Sequence, residues 1–397
     1  MRRLPPSIIF GALSAALSSG YGVLFTIVGD YRDEYGISET EIGVLIGAGF
    51  LSAFVAMIFI APIADRGHAR LLIALGVIAN IVGLILMAYG TALTPLLIGR
   101  VVSGVGIGTA HPAIRRLVIL GDPDNLGQNL GRLLSASVFG FAVGPAISAV
   151  LVGPFGLAAP FLVVAGVNVA ILPFASAISI TEKVNKAGHR LALDLLRSRV
   201  VAGAVMLGAT VFLMIGTFDA LWDVVHEDLG TNDWLANLGI SLFAVPLVIL
   251  GPFGGRLAQR IGPFRVGAVG LSIGATFIFI YGQLPSGEWI VTVGLIHALS
   301  DGLTLTAPGV AIAMAVPEER QAGAQGMMGA AQALAAGITA IVVGSLYENS
   351  GRAVAYGAAA VAMVILIAAA VVLAAPFIRG DRPTDLNPQR DSAKSVL

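Results

Sequence analysis

Cysteine is absent from the 397 residues, which removes disulfides, thiolate nucleophiles and cysteine-based metal sites together. Charge is scarce as well. Asp, Glu, Lys and Arg make up 12% of the chain, about half of the usual share, and the 23 basic and 23 acidic residues cancel. A neutral chain sets up no global field to recruit nucleic acid, so no nucleic-acid partner is expected. Phosphate-binding loops are missing too, and no nucleotide or other cofactor is expected. The pattern Gly270-Leu-Ser272-Ile-Gly274 matches a nucleophile elbow in letters only, because it lies inside an apolar run rather than between a strand and a helix. Gly104, Gly106 and Gly108 likewise follow no strand. An enzyme is not expected.

What the chain has in excess is apolar surface. Hydrophobic residues reach 57% and glycine 50 of 397, about twice its ordinary share. A water-soluble chain of this length could not hide that surface behind a polar skin. Glycine without a triplet period suits packed transmembrane helices, where small residues let backbones approach. About 20 apolar residues of helix cross a bilayer. Twelve such stretches occur, near residues 7–29, 40–62, 71–91, 95–118, 132–152, 158–180, 200–222, 234–253, 265–284, 289–313, 322–346 and 353–376. The first has the basic-then-apolar look of a signal peptide, but further spans follow at once, and it is read as retained.

Lys and Arg fix the expected direction. With the N-terminus inside, 20 of the 23 fall on the cytoplasmic side; only Arg32 and Arg352 lie outside, and Arg100 falls within span 4. Both termini are therefore expected in the cytoplasm, with the protein in the plasma membrane of a bacterial cell.

The segment 181–199 is the longest polar stretch between spans. It separates a bundle over 1–180 from one over 200–377, and 378–397 reads as a disordered tail. The halves repeat. Ala61-Pro-Ile-Ala-Asp65-Arg66 after span 2 aligns with Gly255-Arg-Leu-Ala-Gln259-Arg260 after span 8 at an offset of 194, and the same offset sets Pro123 on Pro317. Two motif pairs at one offset argue for a duplicated six-helix unit, a known transporter plan.

With these motifs the whole chain resembles the major facilitator superfamily. The loop Ala61–Arg66 followed by Arg70 is similar to that superfamily's loop motif. There Asp65, with Arg66 and Arg70, would latch the halves by pairing with arginine and a helix N-terminus. Arg100, followed by small residues, resembles the span-4 motif, and a guanidinium inside a span tends to face a cavity or a carboxylate. Gly140, Gly144 and Pro145 resemble the antiporter motif of span 5, which marks exporters; Ser148 and Ala149 replace its last two glycines. The resemblance implies an all-α integral membrane fold of twelve transmembrane helices in two pseudo-symmetric bundles, and alternating access.

Acids within spans are few. Asp301 lies about twelve residues from either end of span 10, the deepest carboxylate, and suits a group that takes and releases a proton each cycle. His297, one turn earlier, could share that proton. Asp219 in span 7, Asp301 and Arg100 together resemble the proton-coupling set of some drug exporters in the superfamily. Candidate cavity residues are His111, Asn168, Gln332, Trp222 and Asp30. The expected protein is a monomeric proton antiporter that exports small hydrophobic or amphipathic compounds on the proton gradient. Proton-linked uptake of an organic anion anchored by Arg100, and a sensor or scaffold that transports nothing, are the alternatives.

Overall fold

Apolar runs of this length have one economical shape in lipid, because a backbone group left unpaired there costs several kcal/mol and a helix pairs them all within itself. The computed structural model describes residues 6–176, 180 and 191–379, so most of the expected linker and nearly all of the expected tail lie outside the described residues. Six helices form the first half: α1 (Pro6–Tyr35), α2 (Glu39–Phe59), α3 (Ala69–Tyr89), α4 (Leu93–Gly121), α5 (Leu126–Phe155) and α6 (Ala158–Ser176). The second holds α7 (Arg199–Asp228), α8 (Asp233–Ile261), α9 (Pro263–Tyr281), α10 (Gly287–Thr304), α11 (Ala307–Ala315), α12 (Gln321–Ser350) and α13 (Arg352–Ile378). Eleven segments are long and apolar enough to cross a membrane, and Ala158–Phe174 is a shorter apolar helix that supplies the remaining crossing. The chain is a multi-pass membrane protein with twelve crossings in two bundles.

Span 10, expected as one helix over 289–313, is α10 and α11 in succession. Pro308 explains the break: its ring nitrogen has no hydrogen to donate, and its ring crowds the preceding turn. The last α10-type bond runs from Leu305 N–H to the Asp301 carbonyl, so the break begins one turn after that acid.

Glycine sets how closely the helices approach. On α3 and α4, a Cβ at Gly83 would fall 2.5 Å from the Gly99 carbonyl, and one at Gly106 would fall 2.4 Å from that of Gly76. Asn80 accepts a 2.7 Å hydrogen bond from Ser103 in the same interface. In the second half Gly216 meets Ala336 and Gly203 meets Ala370, drawing α7 against α12 and α13. Many large side chains outside these contacts, including Val361, Val364, Ile365 and Val372, are exposed, as a lipid-facing girdle requires.

The halves meet near one face, the face that carries Arg66, Arg70, Arg256, Arg260, Arg265 and Arg320. There α5 crosses α8 backbone to backbone: a Cβ at Gly131 would fall 2.1 Å from the Gly251 carbonyl, and one at Gly255 would fall 1.9 Å from that of Gly127. Ser135 donates to the Leu247 carbonyl at the end of this seam. Gly326 of α12 meets the Met57 carbonyl of α2 in the same way. Further toward the opposite face Phe139 and Val150 of α5, Leu238 and Val245 of α8, and Leu334 and Ile338 of α12 are exposed. The molecule is closed at its arginine-rich face.

Candidate functional site

The turn Ala61–Arg66 is a short 3-10 helix that ends at Gly67, whose φ of 85° is a left-handed conformation open to glycine. It delivers Asp65 into the closed face. Asp65 is 2% exposed and accepts two 2.8 Å hydrogen bonds from the backbone N–H groups of Ala322 and Gly323, in the first turn of α12. A carboxylate there meets both unpaired donors and the positive end of the helix dipole. It also pairs with Arg116, whose Nη1 lies 2.8 Å from Oδ1 and donates again to the Glu318 carbonyl at 2.6 Å. Arg66 and Arg70, the expected cations, are exposed. The buried partner is instead Arg116, on α4, one of the 20 basic residues on the expected cytoplasmic side. Beside it Arg320 holds Asp194 through two bonds of 2.7 and 2.6 Å, tying the end of the linker to the same turn.

Gln259, the counterpart of Asp65, accepts a 2.8 Å bond from Gly127 N–H at the start of α5. Its Nε2 donates to the carbonyls of Asp124, at 2.9 Å, and Pro123, at 3.3 Å. Each half thus caps the first helix turn of the other.

Asp301 lies 2% exposed on α10. His297, one turn before it, places Nε2 at 3.4 Å from Oδ1, an ion-pair distance too long for a well-formed hydrogen bond, and neither atom has another partner. The other ring nitrogen, Nδ1, lies 3.0 Å from the Tyr281 hydroxyl at the end of α9. Aromatic rings enclose the imidazole: Phe277 stacks on it at 4.8 Å between centroids, and Phe243 meets it edge-on at 5.9 Å. Gly274 makes room for it, since a Cβ there would fall 3.3 Å from Nε2. Tyr281 was not foreseen. A tyrosine at a helix end, sixteen residues before a histidine on the next helix, gives no signal until the two helices pack.

The other expected members of this set are elsewhere. Asp219 is exposed on α7, and among the described residues it has no ion pair with Arg100. Arg100 is 1% exposed in the first half, with its Cζ 3.9 Å above the Tyr21 ring and Nε and Nη2 without hydrogen-bond partners. Gly49 provides its slot: a Cβ there would fall 2.3 Å from Nε. Burial beneath an aromatic face replaces the expected carboxylate partner.

Gly140 and Gly144 pack α5 on α1, where their Cβ positions would fall 2.0 Å from the Ala15 carbonyl and 2.5 Å from the Val23 nitrogen. Pro145 sits within α5 on an exposed stretch. Of the candidate cavity residues, Trp222 is buried and donates to the Ala236 carbonyl at 3.3 Å, tying α7 to α8. Asn168 is fully buried and donates to the carbonyls of Val164 and Ala16, joining α6 to α1. Both are packing groups here. The side chain of Gln332 lies near Gly208 of α7. His111 is half-buried on α4 with Nε2 unpaired. Asp30 lines a cavity of about 280 Å³ with Thr26, Ser148 and Gly153, toward the face opposite the arginines. Among the described residues no group of three or more His, Asp or Glu could hold a metal.

The model of the Major Facilitator Superfamily matches residues 8–222 and again 204–396. An uncharacterised transporter of that type from Methanocaldococcus jannaschii is 22% identical, over 87% of this chain and 92% of its own length. The multidrug resistance protein MdtG of Proteus mirabilis is 26% identical over 68% of this chain and 71% of its own. Among solved structures, the human organic anion transporter MFSD10 superposes with a TM-score of 0.76 over 92% of this chain and all of its own, at 16% identity.

Proposed function

Since this chain belongs to the major facilitator superfamily, we propose that it is a proton-coupled antiporter that exports hydrophobic or amphipathic compounds by alternating access. The observation that carries this reading is the buried Asp301–His297 pair. Among the described residues one imidazole is the only basic side chain within ion-pair distance of this carboxyl, which is sealed in a helix bundle. The similarity to a multidrug resistance protein supports the substrate class. The arginine-rich face is the cytoplasmic one, so the closed seam seals the inside and the conformation is outward-facing. Asp219, exposed on α7, is the second acid of the cycle, reached from the open side.

Coupling then runs through shape rather than through contact. A Cβ at Gly302 would fall 2.7 Å from the Pro246 carbonyl of α8, Gly254 meets the Leu303 carbonyl, and the Thr306 methyl lies beside Gly255. The segment of α8 that forms the seam with α5 is thus the segment against which Asp301 and the α10–α11 break rest. A change of charge at Asp301 is transmitted to the seam by these backbone contacts, and any compound that binds one state better shifts the same equilibrium.

Uptake of an organic anion anchored by Arg100 is the weaker reading, because Tyr21 covers that guanidinium. The test is proton flux in proteoliposomes holding a pH gradient, challenged with ethidium, a neutral lipophile and an aromatic carboxylate, for wild type and Asp301→Asn. Dissipation by ethidium or the neutral lipophile in wild type alone supports the proposal; equal responses from the two proteins overturn it.

A further inference from the structure

Tyr281, His297 and Asp301 form a continuous polar line through the second half, and none of them opens onto the space between the halves. Tyr281 is 1% exposed, His297 1% and Asp301 2%. The walls are apolar: α7 contributes Met214, Phe218 and Trp222, α8 contributes Phe243, and α9 contributes Phe277. The ionisable groups around this line besides its own members are Tyr356 and Arg352 from α13 and, behind the wall residues Phe218 and Trp222, Asp219 and His226 of α7. Tyr356 lies 6.0 Å from Tyr281 between ring centroids, and Arg352 bonds the Leu284 carbonyl at 2.6 Å just beyond the end of α9. Tyr281 is the last residue of α9, so the line begins next to the face opposite the arginines and runs inward to the acid.

The hydrogen bonding also has a direction. Among the described residues the Tyr281 hydroxyl pairs with no side chain but His297, at Nδ1; when it donates there, the imidazole hydrogen is on Nε2, facing Asp301. We propose that Asp301 exchanges its proton with the outer face through Tyr281 and His297, by a route separate from the substrate's, and that Tyr281 is the positioning residue that keeps Nε2–H aimed at the acid. For each proton loaded, a transient opening at the end of α9 lets water deliver a proton to the buried Tyr281 oxygen, that hydroxyl's own proton passes to Nδ1, and the Nε2 proton passes to Asp301. The imidazole hydrogen is then on Nδ1 until the reverse transfer or a ring flip restores Nε2–H. Only O–H and N–H bonds are made or broken, charge is conserved, and the reverse sequence unloads the acid. The 3.4 Å gap between Nε2 and Oδ1 closes by a few tenths of an ångström, which a small turn of either side chain supplies.

This inference rests on the antiport reading, and the test separates the two. The full chain in lipid nanodiscs is acidified rapidly and the carboxylic C=O infrared band of Asp301 is followed, identified by its loss in Asp301→Asn. Tyr281→Phe, which keeps the ring packing, is expected to slow the rise of the band at least tenfold, and His297→Gln likewise. Nitrogen-15 resonances of His297 are expected to report the Nε2–H tautomer in wild type and both tautomers in Tyr281→Phe, a change that lost packing alone does not produce. A wild-type rate in both variants, or no Asp301 band in wild type, overturns the route. A band slowed as expected, with no compound moving protons in proteoliposomes, sinks antiport and leaves the route standing.

Discussion

Residues 65 and 259 occupy corresponding places in the two halves, and each caps the first turn of a helix in the other half. They do so with different chemistry. Asp65 is a buried carboxylate with two backbone donors and a fully buried arginine; Gln259 is a half-buried amide with one backbone donor and two backbone acceptors. The repeat offset carries Arg116 onto Val310, which is fully buried and apolar, so no arginine stands at the position that would correspond to Arg116. A buried charge needs its partner, whereas a neutral amide needs only hydrogen bonds. The comparison teaches that duplication kept the geometry of the cap and left the charge in one copy. One latch therefore responds to the electrostatics around it and the other to distance alone.

The largest effect expected from breaking this comparison lies in the seam both latches guard. Gly255→Ala would place its methyl 1.9 Å from a backbone oxygen of the other half, where no side chain can yield. Spin-label distances across the arginine-rich face should lengthen, and transport should fall more than 100-fold. Asp65→Ala comes next. It removes the carboxylate that balances the buried Arg116 and caps α12, a loss of about 3–5 kcal/mol from the closed state, read as the same lengthening together with easier proteolysis of the 61–66 turn. Gln259→Glu makes the copies look more alike and should still loosen the seam. Its carboxylate loses both donations and faces the carbonyls of Pro123 and Asp124, at a cost of about 1–3 kcal/mol. Equal or tighter closure in that variant would refute the account of the asymmetry. Gln259→Ala should cost least, about 1 kcal/mol, seen as a small rise in the open fraction by the same distances.

The fold was legible because lipid enforces it. Each expected span is met by a helix among the described residues except span 10, and the resemblance holds. Span 10 differed, since Pro308 was read as one residue of an apolar run rather than as a missing donor one turn after Asp301. The candidate site was legible by residue type and less so by pairing. Asp301 with His297 follows from spacing on one helix, and Asp65 at a helix N-terminus follows from the loop motif. Arg116 in place of Arg66 or Arg70, Tyr21 in place of an acid beside Arg100, and Tyr281 behind His297 are contacts between helices distant in sequence. A single chain does not state which of several arginines or aromatics will face inward. Trp222 and Asn168 show the converse: polar groups inside spans, noted as cavity candidates, that spend their hydrogen bonds on neighbouring helices.

Peptide groups, rather than large side chains, meet where α5 crosses α8. When such a surface parts, water finds carbonyls and short glycine methylenes in place of leucine side chains, and exposing polar peptide lowers the heat capacity where exposing hydrocarbon raises it. A leucine-lined gate would weaken on cooling as its hydrophobic contribution fades. The balance between closed and open states of this seam should instead drift little with temperature, so the protein's rate on cooling would follow the fluidity of its lipid more than the thermodynamics of its gate.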